Sequence, residues 1–177
     1  YSVLSNGNGV FNAVFTVDTQ HDGVKTVVAS GLISGSDTTT YTIMPHIVSV
    51  SPAAGTVGAS VTVIGDGFRT SSNIRIDFGN KEGIKIPLTS FDGTFTTNFT
   101  VDIQSQGTKA IQAVYAGDEV GTISSFVINP NITEITPAAG TVGFVVMVTG
   151  NGYSPSTVNI YFGTNAAKIT DTIASSS

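Results

Sequence analysis

Cysteine and tryptophan are absent from the 177 residues, and histidine occurs only twice. Without cysteine, neither disulfides nor thiolate metal sites support the fold, and redox chemistry carries no information about compartment. Charge is scarce: 11% of residues are charged, with 7 Lys plus Arg against 12 Asp plus Glu, for a formal net charge of −5. No basic run exists to neutralise phosphates, which argues against a nucleic-acid partner. No apolar stretch approaches the roughly 20 residues a bilayer-crossing helix needs, so no membrane insertion is expected in this segment. The chain opens on Tyr1 without a basic-then-apolar leader and is expected to be processed or a fragment.

Catalytic chemistry finds little to work with. His21 and His46 fall in an apparent turn and an apparent linker, and no nucleophile elbow or paired-histidine spacing accompanies them. No enzyme, cofactor or metal is expected. Gly65-Asp66-Gly67 and Gly150-Asn151-Gly152 lack the further glycine, the helix pattern and the lysine of a phosphate cradle. The scattered acids Asp66, Asp77, Asp92, Asp118 and Glu119 follow no calcium-loop spacing and read as solvated surface.

The sequence does have 40% apolar content and an abundance of Thr, Ser, Gly and Val, a mixture that favours pleated strands over helices. It also repeats. Ser51-Pro52-Ala53-Ala54-Gly55-Thr56-Val57-Gly58 returns as Thr136-Pro137-Ala138-Ala139-Gly140-Thr141-Val142-Gly143, about 85 residues on, a period of whole domains and not of a solenoid. Ser60–Phe68 answers to Val145–Tyr153, and Ile74–Gly79 to Val158–Gly163. An apolar lead-in, Ser/Thr-Pro, a Gly-rich turn, an alternating strand, Gly-x-Gly-aromatic and a strand ending in Phe-Gly resemble the opening half of an IPT/TIG immunoglobulin-like domain. That resemblance implies a two-sheet sandwich. The family's DNA-gripping branch uses basic loops that this acidic chain lacks.

Residues 1–46 align instead with the second half of the central repeat, through Phe15-Thr16-Val17-Asp18 and Phe99-Thr100-Val101-Asp102. Residues 47–131 make one complete unit of seven short strands, with turn signals spaced as in an immunoglobulin-like sandwich. Its inward rows are predicted as Val61 and Val63; Ile74, Ile76 and Phe78; Phe95, Thr97, Phe99 and Val101; Ile111, Ala113 and Tyr115; and Phe126 with Ile128. Asn73, Arg75 and Asp77 are expected to face water, a short strand is expected over 84–88, and Phe68 is expected to plug the end of a sheet. The row Phe11, Ala13, Phe15 and Val17 predicts a strand like that of Phe95–Val101. Residues 132–177 repeat the opening half. The fold class is thus all-β: tandem immunoglobulin-like sandwiches, one complete and two half domains.

In repeat coordinates Ser177 falls near Gly93 and Tyr1 near Lys85, so the two ends abut. Half-sandwiches expose inward rows and strand edges that drive association. Either these residues are a window on a covalent array, or the end of one chain completes the start of the next, head to tail, a contact that grows a filament. The expected partners are therefore adjacent repeats or copies of the chain itself.

The turn positions Pro52, Gly55, Gly58, Gly65 and Gly67, with Pro137, Gly140, Gly143, Gly150 and Gly152, are read as architectural, and Pro45-His46 and Pro130-Asn131 as short linkers that limit the angle between domains. Two glycosylation sequons start at Asn98 and Asn131. Tyr41, Tyr115 and Tyr153 take core-like slots, which leaves Tyr161 as the outward aromatic that a glycan platform would use. The role expected is mechanical: an extracellular surface filament, stalk or coat of stacked sandwiches. An adhesive or carbohydrate-binding module is the alternative.

Overall fold

The computed structural model describes residues 2–33, 35–115, 120–163 and 165–169. Among them there is no helix; all regular elements are strands. Residues 23–43 form one hairpin, β1 (Gly23–Gly31) against β2 (Gly35–Ile43).

The next eight strands are β3 (His46–Ser51), β4 (Ala54–Gly55), β5 (Ser60–Asp66), β6 (Ile74–Phe78), β7 (Lys81–Lys85), β8 (Phe95–Thr100), β9 (Gly107–Tyr115) and β10 (Val120–Ile128). They build two sheets, β3-β5-β8 and β4-β10-β9-β6-β7. All pairings are antiparallel except that of β4 with β10. The chain folds as the immunoglobulin-like β-sandwich that its strand spacing predicts.

Alternation explains why these residues face inward, since successive side chains of a strand point to opposite faces. Val61 and Val63 of β5, Ile74, Ile76 and Phe78 of β6, Phe95 and Phe99 of β8, Ile111 of β9, and Phe126 and Ile128 of β10 are all buried in one cluster. Phe78 bridges the layers, its ring 5.1 Å from Phe99 and 5.9 Å from Phe126. Phe68 is fully buried at the end of the core, edge-on to Phe95 at 5.2 Å and to Tyr115 at 5.7 Å.

Several local expectations are corrected. Asp77 does not face water: it is only 7% exposed, with its carboxylate 3.0 Å from Arg75 Nε and accepting from the Gly83 amide at 2.7 Å. The β6–β7 hairpin folds over it. That hairpin turns at once through Gly79, at φ 57°, so β7 spans Lys81–Lys85 and stops short of Pro87, which has no amide to pair; Leu88 makes only an isolated bridge to Asn73. His46 opens β3 and lies 3.3 Å from Asp66, so it is not in a free linker.

Residues 11–17 form no strand. Their counterpart β8 pairs only with β5, and residues 2–46 contain no copy of β5 for them to pair with. Tyr41, expected in a core slot, is 50% exposed: among the described residues β1 and β2 form a two-stranded sheet that no second sheet covers.

After β10, β11 (Asn131–Thr136) pairs with β12 (Met147–Asn151), and β13 (Ile160–Phe162) pairs with β14 (Asn165–Ile169). These repeat the β3–β5 and β6–β7 pairings, each as an isolated two-stranded sheet.

Candidate functional site

Among the described residues no group of three or more His, Cys, Asp or Glu is placed to hold a metal ion. Asp118 and Glu119 lie outside the described residues. What the structure does show is a contact where one repeated stretch meets the next, part of which recurs at the equivalent positions 84–85 residues on.

At the first joint, the segment before β1 meets the loop after β5. The Asp22 amide donates to the Phe68 carbonyl at 3.1 Å. The Asp22 carboxylate accepts from the Tyr115 hydroxyl at 3.2 Å and lies 3.6 Å from Arg69 Nε. The Arg69 amide donates to the same tyrosine oxygen at 3.2 Å, and its guanidinium carbon lies 4.7 Å from the centre of that ring. The chain leaving β2 packs closely against Gly67: a Cβ there would stand 2.7 Å from the Met44 carbonyl oxygen. With φ at 66° as well, the position is suited to glycine on two counts.

Two of these contacts have counterparts at the second joint. Counting along the repeat, Gln106 corresponds to Asp22, Ser154 to Arg69, Asn129 to Met44 and Gly152 to Gly67. Gln106 Nε2 donates to Ser154 Oγ at 2.9 Å, a neutral bond in place of the charged pair. A Cβ on Gly152, at φ 71°, would stand 3.1 Å from the Asn129 carbonyl oxygen. Tyr153, in the slot of Phe68, lines the shallow cleft beside Gln106 and is half-buried.

The remaining architectural positions divide by mechanism. Pro52 and Pro137 both follow cis peptide bonds. Gly58 and Gly143 turn at φ 87° and 92° with open space around them. Gly55 sits in β4, where a Cβ would be 3.2 Å from both Ala59 and the Phe126 ring, and Gly140 lies close under Phe144. Gly65 is a buried strand residue and not part of the turn: a Cβ there would stand 2.5 Å from Phe95 and 2.8 Å from Phe68. Gly150 is likewise a strand residue, but exposed; a Cβ there would stand 2.9 Å from both Tyr153 and the Asn131 carbonyl oxygen.

Asn98 is exposed on β8, the edge of the three-stranded sheet. Asn131 begins β11 half-buried, and the hydroxyl of Thr133 in its sequon donates to the Thr149 carbonyl. Tyr161 is 60% exposed on β13, and its neighbour Phe162 points to the opposite face, so the two rings do not share a surface.

The residues of the first joint were missed as partners in the sequence. The only available signal was that Gly67 and Gly152 hold corresponding positions one residue before an aromatic. Tyr115 provides the readout. Its burial pushes the phenol up to about 12; the Arg69 amide opposes that shift, and the Asp22 carboxylate adds to it. An ordinary tyrosine ionises near pH ~10, so from there up to about 12 the unfolded chain has lost a proton that the folded chain keeps. The stability linked to Tyr115 is therefore intact below pH ~10 and falls as the pH rises through this window. A phenolate absorbance phase near pH 12 is expected, and Tyr115→Phe should remove both that phase and the associated loss of stability. Persistence of the phase in the variant would refute the assignment.

In comparison with known families, the model of the IPT/TIG domain matches residues 45–125 and again 130–177. No curated protein matches the chain.

Proposed function

Because the chain belongs to the IPT/TIG family of immunoglobulin-like domains, we propose that it is a structural repeat protein of the cell exterior that stacks sandwiches into a filament, stalk or coat. Domains of this family are generally non-catalytic and occur commonly in extracellular or surface proteins. No helix among the described residues is long and apolar enough to cross a membrane. In this reading, residues 47–131 are a complete repeat, and 1–46 and 132–177 are the closing and opening halves of its neighbours.

The observation that carries the proposal is the recurrence of the joint. A flexible tether needs no repeated contact, whereas Gly67 under Met44 and Gly152 under Asn129 hold each unit against the next at short range. Repeating one joint propagates one inter-unit angle, which is how stacked repeats acquire a regular long-range shape. The buried part of the joint matters more than its ion pair, because exposed pairs contribute only about 0–1 kcal/mol, and Asp22–Arg69 is replaced by an uncharged pair at the second joint.

Immunogold labelling of intact, unpermeabilised source cells with antibodies to residues 47–131 tests this role. Gold is expected along filaments, stalks or a surface layer; labelling that appears only after permeabilisation would overturn it.

A further inference from the structure

We propose that Asn98 carries an N-linked glycan and that this glycan shields the free edge of β8 from pairing with another strand. The inference rests on the cell-exterior reading above and adds to it a modified residue and a role for the sugar.

The strand presents its sequon to solvent. Residues two apart on a strand share a face, so Asn98 and Thr100 point outward together while Phe99 between them enters the core at 2% exposed. Both groups that the modification uses are accessible. In the transfer, the Asn98 side-chain nitrogen attacks the anomeric carbon of a lipid-phosphate-linked oligosaccharide. A carbon–nitrogen bond forms, the sugar–phosphate bond breaks, the lipid phosphate leaves with the electron pair, and one amide proton passes to a base. The second sequon is placed differently. Asn131 is half-buried where the chain passes from β10 into β11, and the Thr133 hydroxyl is already given to the Thr149 carbonyl at 3.1 Å.

The edge itself shows what a glycan would do. An unpaired strand edge is a template for a further strand, and proteins blunt such edges with charge, proline, bulges or short length. Three edges of the central sandwich have such devices. β4 is two residues long, β7 carries Lys81, Glu82 and Lys85 and pairs irregularly with β6, and β3 is bulged between Ile47 and Ser49. β8 has none of them. It runs six residues without a charge or a proline, keeps an unbroken register with β5 from Phe95 to Thr100, and among the described residues pairs with no strand on its other side. Asn98 stands near its middle, where a bulky, hydrated sugar obstructs an incoming strand.

The spacing of the basic residues makes the site easy to map. Cleavage after Lys and Arg places Asn98 in peptide 86–109 and Asn131 in peptide 110–168. Tandem mass spectrometry of the protein purified from its source cells is expected to find sugar on peptide 86–109, localised to Asn98. A bare peptide 86–109 would overturn the assignment, whatever peptide 110–168 carries. A bare Asn98 in protein that immunogold finds on the cell surface would sink this inference alone; labelling that needs permeabilisation would sink the surface reading.

Shielding is tested on the 177-residue chain secreted from a glycosylating host. Asn98→Gln, and Thr100→Val as a second way to remove the sequon, should each raise self-association in sedimentation at least about fivefold over the glycosylated chain, and adding Thr96→Lys should reverse the gain, because a charge on the edge opposes strand pairing. All other surfaces are common to these chains. Equal association with and without the glycan, or a gain that Thr96→Lys leaves intact, would overturn the shielding role.

Discussion

Phe78→Ala should lower the stability of the central sandwich by about 3–5 kcal/mol, the range for removing a buried aromatic side chain whose cavity cannot fully collapse. The ring is fully buried and stands between Phe99 of one sheet and Phe126 of the other, so truncation removes contacts from both layers at once. Urea denaturation followed by tyrosine fluorescence would report a much lower midpoint. Phe162→Ala offers an internal comparison. It is the same residue type at the copied position, but 77% exposed, and at dilutions where the chain is monomeric it should shift stability by no more than about 0.5 kcal/mol. Equal losses at the two positions would contradict the burial difference between the central and terminal copies.

Gly65→Val is expected to cost at least about 3 kcal/mol, at the upper end of the overpacking range. Both aromatic rings that a Cβ would meet are themselves buried and in edge contact with each other, so neither can move aside without opening the end of the core. Gly58→Ala discriminates between the two uses of glycine in this repeat. Its surroundings are open and only its φ of 87° is unfavourable for a side chain, which puts the loss at about 1–2 kcal/mol. If the two substitutions cost the same, Gly65 would be acting as a turn residue, as its sequence neighbourhood suggests, and not as a gap for the two rings.

The inward rows of the sandwich were legible because a period of two is a one-dimensional signal. Val61 and Val63, Ile74 to Phe78, and Phe95 to Val101 each declare their face without reference to any partner. Asp77 follows the same alternation but is buried, because the β6–β7 hairpin closes over the outer face there, and no local pattern encodes that cover. Gln104, between β8 and β9, is 8% exposed and donates to the Phe78 carbonyl at 3.0 Å, a contact between distant stretches of chain that no local pattern encodes. The row at Phe11–Val17 shows the converse. Its pattern is that of a strand, yet a strand needs a partner, and among the described residues these pair with none. The joint was hidden for a related reason: Asp22, Arg69 and Tyr115 come from three separated segments, and the second joint replaces the first two with Gln106 and Ser154, which removes any charge signature from the repeat.

The two-residue strand β4 gives the sandwich a direction of strength. It lies parallel to β10, with the Val127 amide donating to Ala53 and the Asn129 amide to Gly55 at 3.0 and 2.7 Å. β4 belongs to the entry of the sandwich and β10 to its exit, so tension applied between the two ends of this unit would pull the two in opposite directions. Parallel neighbours pulled this way slide past one another, and their bonds share the load and must fail together instead of peeling apart in turn. So small an element, placed across that line of pull, would act as a shear clamp against extension of this sandwich.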